Sequence, residues 1–292
     1  MWGRCWIAGC LSAQINKALN SGMLSRRIWL TCSALSLGLL AISVLAWLRG
    51  PDLEITRHDL RKPSSGEAFR IVQLSDLHLQ RFDTAEKTIV MQVQALQPDL
   101  VVLTGDAIDR VDALPVLQNF LSALGSLPLM AVPGNWEHWS DVDFRALSAL
   151  FTDRPGGRLL LNQRVAFTGK GRTVHVIGLD DFTAGQPDVR QLSPSKPDDV
   201  GILLQHSPGF FDEPEVNRLM SAQRFTLCLS GHTHGGQITL GGWAPFRPVG
   251  SGRFVAGFYE VPGCRLYVSR GLGTSVLPLR WGPAPEIAVF DL

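Results

Sequence analysis

The stretch "LVVLTGDAIDR", Leu100 to Arg110, decides the fold. Five residues, apolar or β-branched, run without a break and stop at Gly105. That run is too short for a helix, and it reads as a strand buried on both faces. A glycine and a carboxylate, Gly105 and Asp106, follow at once. The same plan recurs. "FRIVQLS" (Phe69–Ser75) leads into Asp76-x-His78, and "LMAV" (Leu129–Val132) into Gly134-Asn135. "GILLQ" (Gly201–Gln205) leads into His206, and "TLCLS" (Thr226–Ser230) into Gly231-His232-Thr233-His234.

Between several of these runs the apolar period changes to that of a helix. Ala85, Ile89, Val93 and Leu96 share one face, as do Leu114, Leu117, Leu121 and Leu124. Strand–helix alternation predicts an α/β layered fold. Shorter alternating runs, "TVHVIGL" (Thr173–Leu179) and "RLYVS" (Arg265–Ser269), suggest a second sheet.

In α/β sheets, ligands gather beyond the carboxyl ends of strands. Five strand ends therefore deliver seven donors: Asp76, Asp106 and Asn135, with His78, His206, His232 and His234. Mixed carboxylate and imidazole donors suit Mn, Fe or Zn better than Ca or Mg. Seven donors exceed the needs of one ion. A shared carboxylate such as Asp106 could bridge two ions ~3.5–4 Å apart, an arrangement suited to displacement at phosphate esters.

These motifs, in this order, resemble those of the calcineurin-like metallophosphoesterases over residues 69–292. The longer "GHTHGGQ" and the tail "SRGLGTSVLPLRWGPAPEI" resemble a bacterial membrane-associated or exported branch. That branch includes enzymes similar to UDP-2,3-diacylglucosamine pyrophosphatases of the lipid A pathway. The resemblance implies a four-layer fold, a two-sheet β-sandwich flanked by helices. It implies two divalent metal ions, the first held by Asp76, His78, Asp106 and His234, the second by Asp106, Asn135, His206 and His232. It also implies attack on phosphorus by a hydroxide bridging the ions, with a phosphorylated small molecule or nucleotide-lipid as substrate.

One block departs from the family pattern. Where the family reads Gly-Asn-His-Glu/Asp, this chain reads Gly134-Asn135-Trp136-Glu137-His138. The family histidine bonds the phosphoryl oxygen or protonates the leaving group. An indole has one N–H and cannot transfer a proton near neutral pH. Asn135 and His138 are therefore the catalytic candidates, although His138 also reads as a solvent-facing loop residue. The departure leaves open a metal-binding protein with little turnover. A nuclease is the rival enzyme, disfavoured by a net charge of +1.

Other residues carry plainer readings. Asp109 orients the loop after Asp106 more readily than it binds metal. Asp180 and Asp181 read as a strand-end turn. Arg270 reads as a structural ion pair or a phosphate contact. His58 and His175 read as ordinary linker and strand histidines. Trp139, Trp243, Phe246 and Trp281 read as core, with an apolar wall for a lipid or nucleobase as the alternative.

The chain has 292 residues, 45% of them apolar, enough for a sizeable core. Residues 28–48, "IWLTCSALSLGLLAISVLAWL", are uncharged and long enough to cross a bilayer. They read as a transmembrane helix or a signal segment, after a cytoplasmic segment 1–27 in which Met23 is an alternative start. "SRRIWLT" (Ser25–Thr31) resembles a twin-arginine export signal. A linker at 49–68 then leads to the catalytic domain at 69–292. Arg26 and Arg27 before the span favour an extracytoplasmic domain, tethered or exported. The spacing of Cys228 and Cys264 indicates neither a disulfide framework nor a thiolate zinc site.

Overall fold

A computed structural model describes residues 51–61, 67–192 and 200–292. The expected membrane or signal segment at 28–48 and the segment 1–27 lie outside them. No helix among the described residues is long and apolar enough to cross a membrane.

Among the described residues, twelve strands form two mixed sheets. The first contains β1 (Glu54–Asp59), β12 (Glu286–Asp291), β2 (Arg70–Leu74), β3 (Leu100–Thr104), β4 (Leu129–Val132) and β5 (Gly157–Leu159), in that order. From β2 to β5 all pairings are parallel, while β12 runs antiparallel to β2 and parallel to β1. The second contains β10 (Gly257–Val261), β11 (Cys264–Val268), β9 (Leu227–Ser230), β8 (Val200–Leu204), β7 (Arg172–Gly178) and β6 (Gln163–Gly169). Its central strands β11, β9, β8 and β7 are parallel, with an antiparallel strand at each edge.

The unbroken apolar runs follow from this layering. Successive side chains of a strand point to opposite faces. Ile71, Leu100, Val102 and Met130 of the first sheet meet Val174, Val176, Ile202, Leu204 and Leu229 of the second. The alternate residues Val72, Leu74, Val101 and Leu103 pack outward against the helices α1 (Thr84–Ala95) and α2 (Leu114–Ala123). α4 (Phe144–Thr152) adds Leu147 and Phe151 to that layer. On the far face of the second sheet lie Phe210, Phe211 and α5 (Pro214–Met220), packed on Ile177, Leu203 and Leu266. Three apolar layers thus separate four layers of secondary structure. Each central strand is covered on both sides, so alternation is absent from its sequence.

Two readings are corrected here. Residues 54–59, within the expected linker, form β1, and His58 stacks in a cluster with Phe258, Tyr267 and Phe290. β1 is an edge strand with an exposed outer side, so its polar sequence "EITRHD" carries little strand signal. Cys228 and Cys264 form a disulfide between the adjacent parallel strands β9 and β11. Pairing in a sheet joins residues distant in sequence, and spacing alone could not reveal it.

Candidate metal centre

The carboxyl ends of β2, β3 and β4 from one sheet and of β8 and β9 from the other converge on one cleft. All seven predicted donors meet there. Asp76, His78 and His234 form one group, and Asp106, His206 and His232 another. Asn135 begins the short helix α3 (Asn135–Trp139) after β4. Its Oδ1 lies 2.8 Å from His232 Nδ1 and 3.1 Å from His206 Nε2. Asp106 Oδ2 stands between the groups, 3.1 Å from His206 Nε2 and 3.8 Å from His78 Nε2.

The backbone is bent to achieve this. Asp76, His78, Asp106, His232 and His234 all have positive φ, between 45° and 72°. Such conformations are uncommon outside glycine and cluster at functional sites. The glycines before two of the donors allow close approach. A Cβ at Gly134 would collide with the Asp106 carboxylate, and one at Gly231 with Ser75 and Asp76.

The donors' outer atoms are already engaged. His206 Nδ1 is 2.7 Å from the Thr104 carbonyl, and His232 Nε2 is 2.7 Å from the Val249 carbonyl. A carbonyl only accepts, so each ring donates outward and turns its other nitrogen inward. His78 Nδ1 bonds the Asp109 carboxylate. Asp109 thus orients the donor His78, where the sequence reading has it orient the loop. The inward Nε2 atoms of His78 and His234 approach to 3.0 Å. Asp76 Oδ2 is buried without a hydrogen-bond partner. Arg280 can only donate to His234 Nδ1, at 3.4 Å, so His234 Nε2 carries the proton and donates to His78 Nε2. The orphaned Asp76 carboxylate oxygen is costly in a buried site, and a cation resolves it. The donor set therefore fits two divalent ions. The same pull acts on protons. Burial alone would lower the His206 pKa, but the Asp106 carboxylate overrides it and raises it well above the ordinary value. Burial, joined by His78, depresses His234 well below it.

His138 is not in this cleft. Its Nε2 sits 2.7 Å from Asp180 Oδ1, in a separate polar cavity with Asn162, Asp188 and Arg190. A residue two positions beyond Trp136 lies roughly 200° around a helix, and so faces elsewhere. The expectation of His138 as catalytic acid is corrected on this geometry. The Trp136 indole lines the cleft, donates from Nε1 to Ser275 Oγ at 3.2 Å and stands edge-on to His78. Its backbone N–H donates to Asp106 Oδ1 at 3.0 Å.

Glu137 is a residue that sequence reasoning passed over. Its buried carboxylate accepts from the backbone N–H groups of Gly134, Asp106, Ala107 and Ile108. It ties the loop after β3 to the loop after β4, which fixes Asp106 against Asn135. Burial and the Asp106 charge raise its pKa to about 7, against the pull of those N–H groups. The signal was present: Glu137 stands three residues after Gly134, the N-cap-to-N3 spacing of a capping box. Arg270 bonds Glu286 and Glu54, which makes it a structural ion pair. Asp181 ties its own turn through the N–H groups of Thr183 and Ala184.

The cleft holds about 600 Å³. Its walls beyond the donors are mostly apolar, with Trp136, Trp139, Ile238, Phe246, Val249 and Leu277. Arg247 is its cationic side chain.

A four-layer α/β/β/α protein with two groups of buried donors at its strand ends has the layout of a metal-dependent enzyme with room for two ions. The chain belongs to the calcineurin-like phosphoesterase family, whose model matches residues 69–236. It is 33% identical to the uncharacterized metallophosphoesterase YkuE of Bacillus subtilis (strain 168), over 82% of this chain and 85% of that relative. It is 29% identical to the phosphodiesterase YaeI of Escherichia coli (strain K12), over 92% of this chain and all of the relative. It is 29% identical to the UDP-2,3-diacylglucosamine pyrophosphatase LpxG of Chlamydia muridarum (strain MoPn / Nigg), over 86% of this chain and 94% of the relative. Membership makes the chain a metal-dependent phosphoester hydrolase by class.

Proposed function

We propose that this chain hydrolyses a phosphodiester or pyrophosphate bond in a substrate with a large apolar portion, using two divalent ions. The observation that carries this reading is the convergence of two buried donor groups, Asp76, His78 and His234 beside Asp106, His206 and His232, with Asp76 Oδ2 left without a hydrogen-bond partner. Asp76, His78, Asp106 and His234 would hold one ion, and Asp106, Asn135, His206 and His232 the other. When bound, the ions supply charge stabilisation at phosphorus and a nucleophile at neutral pH.

The chain's own residues orient and exclude. Thr104 and Val249 carbonyls and the Asp109 carboxylate hold three imidazoles in register. Glu137 holds the Asp106 loop. Trp136 and Trp139 keep water from one wall, and Arg247 offers a guanidinium to a phosphate oxygen. Among the described residues, the cleft lining apart from the donor histidines contains no side chain that gives up a proton near neutral pH. This favours substrates whose leaving group needs little protonation, as a phosphate leaving a pyrophosphate does. That preference, the apolar walls and the similarity to LpxG support a nucleotide-lipid pyrophosphate as substrate.

The domain is placed on the extracytoplasmic side of the membrane in this reading. Disulfides persist in oxidising compartments, and Cys228–Cys264 agrees with the orientation read from Arg26 and Arg27.

The test is turnover with added manganese on bis-p-nitrophenyl phosphate, then on a nucleotide-lipid pyrophosphate. Hydrolysis of the first without the second would leave a phosphodiesterase of other specificity. Two bound ions with no turnover on either would make the chain a metal-binding protein, the reading that Trp136 leaves as the rival.

A further inference from the structure

The aromatic residues read from sequence as core are not core. Trp139, Trp243, Phe246 and Trp281 are all exposed, Phe246 by 79%. They belong to a larger set. Phe246 and Val249 on one loop, Val276 and Leu277 on another, and Trp139 are exposed and line the cleft, and Leu240 and Trp243 are exposed at the tip of the first loop. Val249 and Val276 are 85% and 87% exposed. Scattered exposed apolar residues are ordinary, but a contiguous set at the mouth of one site marks an interaction surface.

The two loops are fixed to each other. Gln237 Nε2 donates to the carbonyls of Ser275 and Leu277, each at 3.0 Å, and Gln237 Oε1 accepts from Ser275 N. Thr239 N bonds the Trp281 carbonyl, and Trp281 N bonds the Gln237 carbonyl. Leu240 and Trp243 pair across a tight turn at Gly241-Gly242, both with positive φ. The tip that shows Leu240 and Trp243 is therefore built, and it cannot fold them inward without breaking that pairing.

Two features identify the occupant. Residues 235–259 and 271–285 contain no carboxylate, while Arg247 sits exposed among Phe246, Pro248 and Val249. The carboxylates that approach these loops from elsewhere, Asp212 and Glu54, are paired with Arg253 and Arg270. Aromatic and aliphatic side chains with an exposed arginine and no acid of their own suit the interface of an anionic bilayer. The second feature is where the chain enters the domain. Glu54, at the start of β1, donates its N–H to the Pro285 carbonyl at 2.9 Å, and Arg270 bonds its carboxylate. Pro285 closes the second apolar loop. In sequence, five residues lie between Leu48, the end of the uncharged stretch, and Glu54. The six steps from Leu48 to Glu54 span at most about 20 Å. Within the domain, Glu54, where the described chain begins its first strand, thus lies on the side that carries the apolar loops.

We propose that the loops around Trp243–Val249 and Val276–Leu277 dock on the bilayer that holds residues 28–48, so that the cleft opens onto the membrane surface. The proposal rests on the membrane reading of that stretch, not on the reaction. A substrate with its apolar portion in the bilayer would then meet the donors without leaving the lipid phase.

The experiment places the full chain in nanodiscs of phosphatidylethanolamine and phosphatidylglycerol with brominated acyl chains as quencher. Cys5, Cys10 and Cys32 are replaced by serine. An environment-sensitive fluorophore is attached in turn to Val249→Cys, Val276→Cys and the control Thr168→Cys. Thr168 is exposed on β6, and Gly169 beside it packs on Phe69, at the opposite end of the sheets. Labels at 249 and 276 should shift to the blue and lose most of their emission, and the label at 168 should do neither. Adding Phe246→Asp should restore emission at 249, with the circular dichroism spectrum unchanged. Equal quenching at all three positions, or none at 249 and 276, overturns the proposal. So does a chain that fails to stay with the discs, or cross-linking of the 249 position between two chains in one disc. Activity does not enter the readout, so failure of the proposed reaction would leave this result standing, and the reverse.

Discussion

Trp136→His should change how rate depends on the leaving group more than it changes the rate itself. The indole stands edge-on to His78, 6.1 Å between ring centres, on the wall beside the first group of donors. An imidazole there would come within reach of an oxygen departing from phosphorus. His138 cannot serve, being held on Asp180 outside the cleft. General acid help is worth ~10²–10⁴-fold, or about 3–5 kcal/mol of barrier. The smaller ring forfeits the bond to Ser275 Oγ and leaves part of the indole volume empty, so the lower end, ~10²-fold, is expected for alkyl phosphodiesters. A p-nitrophenyl diester departs as a stable anion and should gain less than about tenfold. The assay is kcat/KM for a series of aryl and alkyl phosphodiesters in the wild type and in Trp136→His, plotted against leaving-group pKa. The wild type should show a steep slope and the variant a shallow one. A wild type with a flat slope would refute the reasoning, since it would already have its proton. Equal gains or losses across the series would show that Trp136 acts through packing alone.

Asp106→Asn should lower bound metal from two ions toward one or none and remove most activity, because one carboxylate serves both groups of donors; metal analysis of the purified chain decides it. Glu137→Ala should cost roughly 3 kcal/mol or more by stranding four backbone N–H groups, measured by denaturant unfolding, and should weaken metal binding without altering a donor. Replacing Cys228 and Cys264 together by serine frees a 36-residue loop and should cost up to ~4 kcal/mol, with no difference between reduced and oxidised samples of the variant. The His138–Asp180 bond raises the His138 pKa above its ordinary 6.5. A group raised in the folded state stabilises fully below its unfolded pKa and loses that contribution as pH climbs through the folded one. His138→Ala should therefore cost about 1–2 kcal/mol near pH 5.5 and less near pH 9, read from unfolding curves at the two pH values. A cost independent of pH would contradict the charged pairing.

Much of the site was legible because its elements are local. A strand buried on both faces writes an unbroken apolar run, and a glycine with a donor behind it marks the strand end. Five such ends needed no three-dimensional knowledge to be found, and α1 and α2 declared themselves by period. The edge strand β1 and the short α3 and α4 did not, since exposed or brief elements bury little and leave little pattern. Glu137 was overlooked because its task is to satisfy backbone N–H groups, and backbone groups have no letter in the sequence.

The sequence by itself determined the layered α/β class, the donor set and the departure at Trp136, because residue types and strand-end positions are properties of the chain. Only the tertiary structure decided which faces those residues present. Helical rotation carries His138 away from the cleft toward Asp180. The sheet brings Cys228 beside Cys264. The two loops, tied through Gln237, leave Trp243 and Phe246 in solvent, although their apolar character alone assigns them to a core. Each of these outcomes depends on contacts between residues far apart in the chain, and burial is settled by what packs against a side chain, which its own chemistry does not specify.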